Sequence, residues 1–123
     1  MLAPVASVGT HDEIARADLV VNASSVGMGI ETGTALPADL PCEIELLRPT
    51  QIVVDLVYHP RRTAWLTGAD QVGARTVDGL GMLVHQAALQ QQAWLGRMPD
   101  VAVMRRAAED GLTQRLRAAS GDR

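Results

Sequence analysis

Three segments of this chain concentrate glycine and polar side chains at points where short aliphatic runs stop. Residues 22–29 (Asn22, Ala23, Ser24, Ser25, Val26, Gly27, Met28, Gly29) follow Leu19-Val20-Val21. Asp55 to Pro60 follow Ile52-Val53-Val54, and Asp78-Gly79-Leu80-Gly81 follow residues 74–77. If the aliphatic runs are parallel strands, all three segments sit at carboxyl ends, where an open parallel sheet binds ligands. Asn, Asp and Gly also turn a chain at strand ends for their own conformational reasons, so the coincidence alone leaves a plain turn reading open.

Within these segments the chemistry is modest. The Tyr58 phenol can donate to a substrate oxygen, or simply cover a strand end with its ring. Gly79 opens a helix, where unpaired amides attract acceptors and the missing Cβ permits close approach. Gln86, further along that helix, could look toward the strand ends; Gln90, Gln91 and Gln92 show that the helix also has a polar face. Gly27-Met28-Gly29 is no dinucleotide fingerprint, because position 32 is Thr and no helix is signalled there. His11, His59 and His85 never take the i, i+4 spacing of a helical metal site. Asp55 suits capping of the next loop at least as well as catalysis. Arg61-Arg62 can meet an anion or stand solvated, and Cys42 has no evident activator.

Composition narrows the classes. The 123 residues suffice for one ordinary domain, and 47% hydrophobic with 20% charged residues is globular composition. A net charge of −3 offers no basic surface for nucleic acid or anionic membranes. No run approaches the roughly 18 to 20 apolar residues of a membrane helix. One cysteine and no signal-peptide pattern fit a cytoplasmic location. All eleven basic residues are Arg. Without lysine, no mechanism requiring a lysine base or Schiff base is complete within this chain. With no Phe, and only Tyr58, Trp65 and Trp94 as aromatics, the core must be aliphatic.

The elements needed to position the three segments are legible. Residues 1–9 are small and apolar, with Val5 and Val8 as possible strand residues. Thr10 and Glu13 form a capping-box pattern for a short helix over residues 11–17. Residues 19–21 and 52–54 read as buried parallel strands, and 74–77 as a third short strand. Pro37 starts a helical turn. Residues 63–69 read as a helix with Ala64, Trp65 and Leu66 inward and Gly68 and Gly73 at its end. The longest helix is expected from Asp78 or Gly79 to Leu95, with Leu80, Leu83, Val84, Ala87, Ala88 and Trp94 at helical spacing. Gly96 and Pro99 stop it. Asp100 caps a last helix carrying Val101, Met104, Ala108, Leu112 and Leu116 on one face, and residues 120–123 should fray. The alternation predicts an α/β fold: a partial Rossmann-like parallel sheet of three to four strands, flanking helices and two C-terminal helices.

Three strings taken together are far more specific than any one. They are Asp18-Leu19-Val20-Val21-Asn22-Ala23-Ser24-Ser25-Val26-Gly27-Met28, then Val53-Val54-Asp55-Leu56-Val57-Tyr58-His59-Pro60 with Thr63 and Leu66, then Asp78-Gly79-Leu80-Gly81-Met82-Leu83-Val84-His85-Gln86-Ala87. With Trp94, Gly96 and Pro99 following, the chain resembles the C-terminal part of shikimate dehydrogenase from about Thr10 to Leu116. The resemblance implies a C-terminal part of a dinucleotide-binding domain, with residues 79–118 as its C-terminal helices. It implies reversible NADP-dependent reduction of 3-dehydroshikimate to shikimate, in aromatic amino-acid biosynthesis. Asn22, Ala23 and Ser24 then match the loop beside the cofactor ribose and nicotinamide. Leu56 and Met82 match positions lining the nicotinamide pocket, and Gly79 matches a backbone position binding the carboxamide. Tyr58 and Gln86 match substrate-binding residues.

Departures accompany these matches. Ser25 stands where many relatives have Pro. The family's catalytic Lys and Asp, its N-terminal domain and its glycine-rich pyrophosphate loop have no counterpart in these residues, so no catalytic residue is assigned. The chain alone is therefore expected to be inactive, to self-associate, and to accept the missing half in trans. An NAD-using quinate/shikimate dehydrogenase fragment and a non-catalytic remnant acting as a binding domain are the alternatives.

Overall fold

The computed structural model describes residues 5–30 and 32–121. The chain enters through α1 (His11–Ile14) and β1 (Leu19–Asn22), then crosses to β2 (Ile52–Asp55) through three 3-10 turns, at Thr32–Thr34, Pro37–Asp39 and Ile44–Leu46. α2 (Ala64–Val72), β3 (Arg75–Val77), α3 (Leu80–Leu95) and α4 (Val101–Gly121) complete it. The three strands form one sheet in the order β1-β2-β3. All pairings are parallel, with Leu19 opposite Ile52, Asn22 opposite Asp55, and Val54 opposite Val77. Sequential parallel order places every carboxyl end on one side, as the alternation of runs required. The fold is α/β, with two C-terminal helices.

One face of the sheet carries the main core. Val53, Trp65, Leu66, Ala69, Ala74, Cys42 and Leu47 are buried together, and Ile14, Val20, Leu40, Ile44 and Leu46 pack around them. α2 starts where the Thr63 hydroxyl accepts the Leu66 N–H at 3.2 Å. It ends at Gly73, whose φ of 94° is the left-handed conformation of a helix C-cap. Gly68 does not end this helix. It is buried inside it, and a Cβ there would lie 2.5 Å from Ile44 Cδ1. The small residue is demanded by close packing of α2 on the 3-10 turn. On α3, Leu80, Val84 and Ala88 are buried, and α4 packs along that helix.

Several expectations change. Val5 and Val8 are both 91% exposed and belong to no strand, so the described sheet has three strands. α1 ends at Ile14, well short of residue 17. The Thr10 N–H donates to Glu13 Oε2 at 2.6 Å, which supplies the Glu half of the expected box. The longest helix is α4, with 21 residues, and α3 has 16 and starts at Leu80. Trp94 points away from the core, 75% exposed, because its place near the end of α3 lies beyond the covered stretch. Asp100 caps α4 as expected, its Oδ1 accepting from the Ala102 and Val103 N–H groups at 2.9 and 3.1 Å. That helix runs through Gly121, so fraying does not begin at 120; residues 1–4, 122 and 123 lie outside the described residues.

Candidate functional site

The carboxyl ends of β1 and β2 are tied by one buried carboxylate. Asp55 is fully buried; its Oδ1 accepts from Asn22 Nδ2 and from the Val57 N–H, both at 3.0 Å, and its Oδ2 accepts from the Thr63 hydroxyl at 2.7 Å. Among the described residues no cationic side chain pairs with it; three donors satisfy its oxygens in place of water, as a buried polar group requires. Asp55 is a strand-end cap, the structural one of its two readings.

Asn22 is equally committed. Its Nδ2 donates to Asp55 and to the Val26 carbonyl at 3.1 Å, and its Oδ1 accepts from the Ser24 N–H and hydroxyl at 3.1 and 2.6 Å. An amide has two donor hydrogens and two acceptor lone pairs, so nothing of this side chain is left for a ligand. Asn22 shapes the loop, and what the loop presents are the exposed Ala23 and Ser24. Further on, Gly27 and Gly29 have φ of 88° and 72°, and the Gly29 N–H donates to the His59 carbonyl at 2.7 Å. The glycine pair turns the loop against the chain's own backbone.

Gly79 also has an internal reason. A Cβ there would collide with the Leu56 carbonyl and lie 2.7 Å from that of Val57, so the start of α3 is pressed onto the end of β2. This backbone contact brings Leu56, Tyr58 and Gly79 into one neighbourhood. Asp78 reinforces it: Oδ1 accepts the Leu80 N–H at 3.1 Å, and Oδ2 accepts from Arg61 Nε and Nη2 at 3.0 and 2.8 Å. Arg61 Nη1 reaches Glu109 of α4 at 3.5 Å, while Arg62 pairs with Asp70 at 2.9 Å. Neither arginine is a merely solvated charge.

The expected site residues fall in separate places. Asn22, Ala23 and Ser24 line an open groove of about 370 Å³ beside β1, with Val20, Val21 and Trp65. Tyr58, half-buried, lines a separate hollow of about 250 Å³ with Leu83 and residues of α4. Leu56 is half-buried, Met82 and Gln86 are exposed on α3, and none of the three lines either hollow. Sequence reasoning missed Thr63 as the partner of Asp55, and Gln51. The buried Gln51 donates from Nε2 to the carbonyls of Ile14 and Ala17 at 2.7 and 2.8 Å, fixing α1 to the start of β2. The Thr63 hydroxyl before a helix was a legible signal; Gln51 carried none. Burial pushes the Cys42 thiol above its ordinary value, partly offset by the Trp65 indole and reinforced by Glu43. That is an inert thiol. Among the described residues no cluster of three metal-ligating side chains occurs. No described helix is long and apolar enough to cross a membrane.

A sequential parallel sheet with polar and small-residue segments at its carboxyl ends, followed by two C-terminal helices, is a Rossmann-like architecture. Residues 79–109 match the family model for the shikimate 5'-dehydrogenase C-terminal domain. The NADP(+) shikimate dehydrogenase of Geobacillus kaustophilus is 39% identical over 99 residues, covering 80% of this chain and 34% of that protein. Among solved structures, shikimate 5-dehydrogenase from Thermus thermophilus, in complex with NADP(H) and shikimate, superposes with a TM-score of 0.72. It is 33% identical over 83% of this chain and 37% of its own length. Quinate dehydrogenase from Corynebacterium glutamicum, in complex with NAD, gives a TM-score of 0.66 at 36% identity, over 78% of this chain and 32% of its own. The chain is related to the C-terminal, NADP-binding region of the shikimate dehydrogenases, and spans about a third of the length of these relatives.

Proposed function

We propose that this chain forms the nicotinamide-side wall of an NADP-dependent shikimate dehydrogenase, which interconverts 3-dehydroshikimate and shikimate by hydride transfer. The observation that carries the reading is the pair of ties at the strand ends: Asn22 of β1 bonds Asp55 of β2, and Gly79 before α3 is pressed onto the Leu56 and Val57 backbone.

These residues suit a nicotinamide. Exposed Ala23 and Ser24 leave the loop surface open, and half-buried Leu56 and exposed Met82 offer apolar surface for a ring, while Gly79, the expected carboxamide contact, is itself buried. When bound, the cofactor supplies the hydride. The chain's own residues orient: Tyr58 and Gln86 hold substrate oxygens, and Asn22 keeps the loop in shape through its four hydrogen bonds. Proton transfer to the substrate oxygen needs a base that this lysine-free chain does not contribute. A quinate dehydrogenase using NAD is the second reading, favoured by the 36% identity to such an enzyme.

The test is a chimera in which residues 10–116 replace the matching third of the Geobacillus enzyme. Shikimate oxidation with NADP+ is expected, and Gln86→Ala should lower kcat/KM by roughly 30- to 1,000-fold if its amide bonds a buried substrate hydroxyl. A folded chimera that oxidises neither shikimate nor quinate with either nucleotide overturns the reading.

A further inference from the structure

We propose that α4 is a strap latched to the rest of the fold by Arg61, so that charge pairing decides whether this helix is docked or free. α4 is the longest helix, yet none of its described residues is buried. Met104, Ala108, Gly111 and Leu112 are half-buried, and its described residues from Thr113 onward are exposed. Helices in proteins owe most of their stability to a buried apolar face. α2 has one, with Trp65, Leu66 and Ala69 inside. α4 packs along α3, but a hollow of about 250 Å³ stays open between Leu83 of α3 and Ala108, Gly111 and Leu112 of α4. A Cβ at Gly111 would meet nothing within 4 Å, so the seam between the helices is loose there.

Arg61 supplies what apolar packing does not. Among the described residues, the contact of its Nη1 with Glu109 Oε1, at 3.5 Å, is the one ion pair between α4 and another element. An exposed pair usually contributes little, because it must order two long side chains. Here one of the two is ordered beforehand. Asp78 Oδ2 accepts from Arg61 Nε and Nη2 at 3.0 and 2.8 Å, and Asp78 Oδ1 is itself fixed by the Leu80 N–H at 3.1 Å. The guanidinium is thus held at the start of α3 with Nη1 left for Glu109, and a planar fork held in this way loses less freedom per bond. The latch joins the loop after β2, the start of α3 and the middle of α4 through one group. Where few apolar contacts oppose opening, a single such pair shifts the local equilibrium. This device goes beyond the dehydrogenase reading and does not rest on it.

The test is amide hydrogen exchange of the full 123-residue chain and its variants at one protein concentration. Arg61→Gln should speed exchange across residues 104–112 roughly three- to tenfold and leave residues 52–55 of β2 within about twofold. Glu109→Gln keeps the Arg61–Asp78 pair and should release α4 to the same extent. The double variant should release it no further than either single one, because both remove the same contact. About 1 M sodium chloride should reproduce the effect in the unsubstituted chain and add nothing in Arg61→Gln. Arg16→Gln, which breaks the pair with Glu13 beside α1, is the control for loss of an arginine and should leave α4 unchanged. Unchanged exchange in α4 on Arg61→Gln, additive effects of the two variants, or equal acceleration in β2 would each overturn the proposal. The last would make Arg61 a stabiliser of the whole fold. No cofactor or turnover enters the measurement, so an inactive chimera leaves its result standing.

Discussion

The carboxyl end of β2 and the outer edge of β1 are built to opposite standards. At the end of β2, Asp55, Asn22 and Thr63 are at most 4% exposed, and every polar atom of the Asn22 amide and the Asp55 carboxylate has a donor or acceptor. Along β1, Leu19 and Val21 are 53% and 45% exposed, and the strand pairs on one side only among the described residues. Burial and satisfaction fall off within one strand spacing. The chain thus combines a satisfied, buried strand end with an open strand edge, and the two regions should respond differently to the same perturbation.

The largest contrast is catalytic. If ordered strand ends sufficed for chemistry, the chain would oxidise shikimate with NADP+ unaided. We expect no turnover above background from the purified 123-residue chain, since it holds no lysine. Measurable turnover would reveal a base among the residues described above.

Next comes the buried knot. Asp55→Ala strands the Asn22 amide, the Val57 N–H and the Thr63 hydroxyl, and should destabilise the fold by about 3 kcal/mol or more in urea unfolding. A loss under about 0.5 kcal/mol would erase the distinction between the two regions.

The open edge should behave in reverse. Val21→Lys is expected to change stability by less than about 0.5 kcal/mol while reducing self-association in light scattering, because a charge on an exposed edge blocks strand addition. The unsubstituted chain should self-associate and melt at modest temperature. A monodisperse monomer melting cooperatively above about 60 °C would mean that the edge is harmless and the core closes without it.

The smallest effect is alkaline. Burial raises the Cys42 thiol in the folded state, so the folded chain binds its proton more tightly than the unfolded one. Stability from this source is fully present below the unfolded thiol value near 9.0 and is lost as pH rises from there toward the folded value. Cys42→Ala should flatten that alkaline decline. An unchanged slope in the variant would assign the loss to other groups.

Legibility in the sequence followed range. The apolar runs at 19–21 and 52–54 and the stretch 74–77 announced β1, β2 and β3 to within a residue or two, but the expected burial is one-sided: Val53 is buried, whereas Leu19, Val21, Ile52 and Val77 are exposed. The Asp100 cap and the Gly73 and Gly96 stops were local and readable. Trp94 misled because helical spacing gives the direction of a side chain and not whether anything covers it. Gly68 misled because a glycine in a helix can mark an end or a contact, and Ile44, which decides, lies 24 positions away. Val5 and Val8 have strand-forming side chains but no strand beside them.

By itself, then, the sequence determined the α/β alternation, the parallel sheet, the three strand-end segments and the absence of a lysine base. These follow from composition and from patterns within a few residues. Tertiary structure alone decided that Asn22 spends its amide on Asp55, that Gly79 yields its Cβ space to Leu56, and that Tyr58 shares a hollow with residues of α4. Each joins residues from different elements, and side-chain satisfaction is a property of the assembled packing that no local pattern encodes.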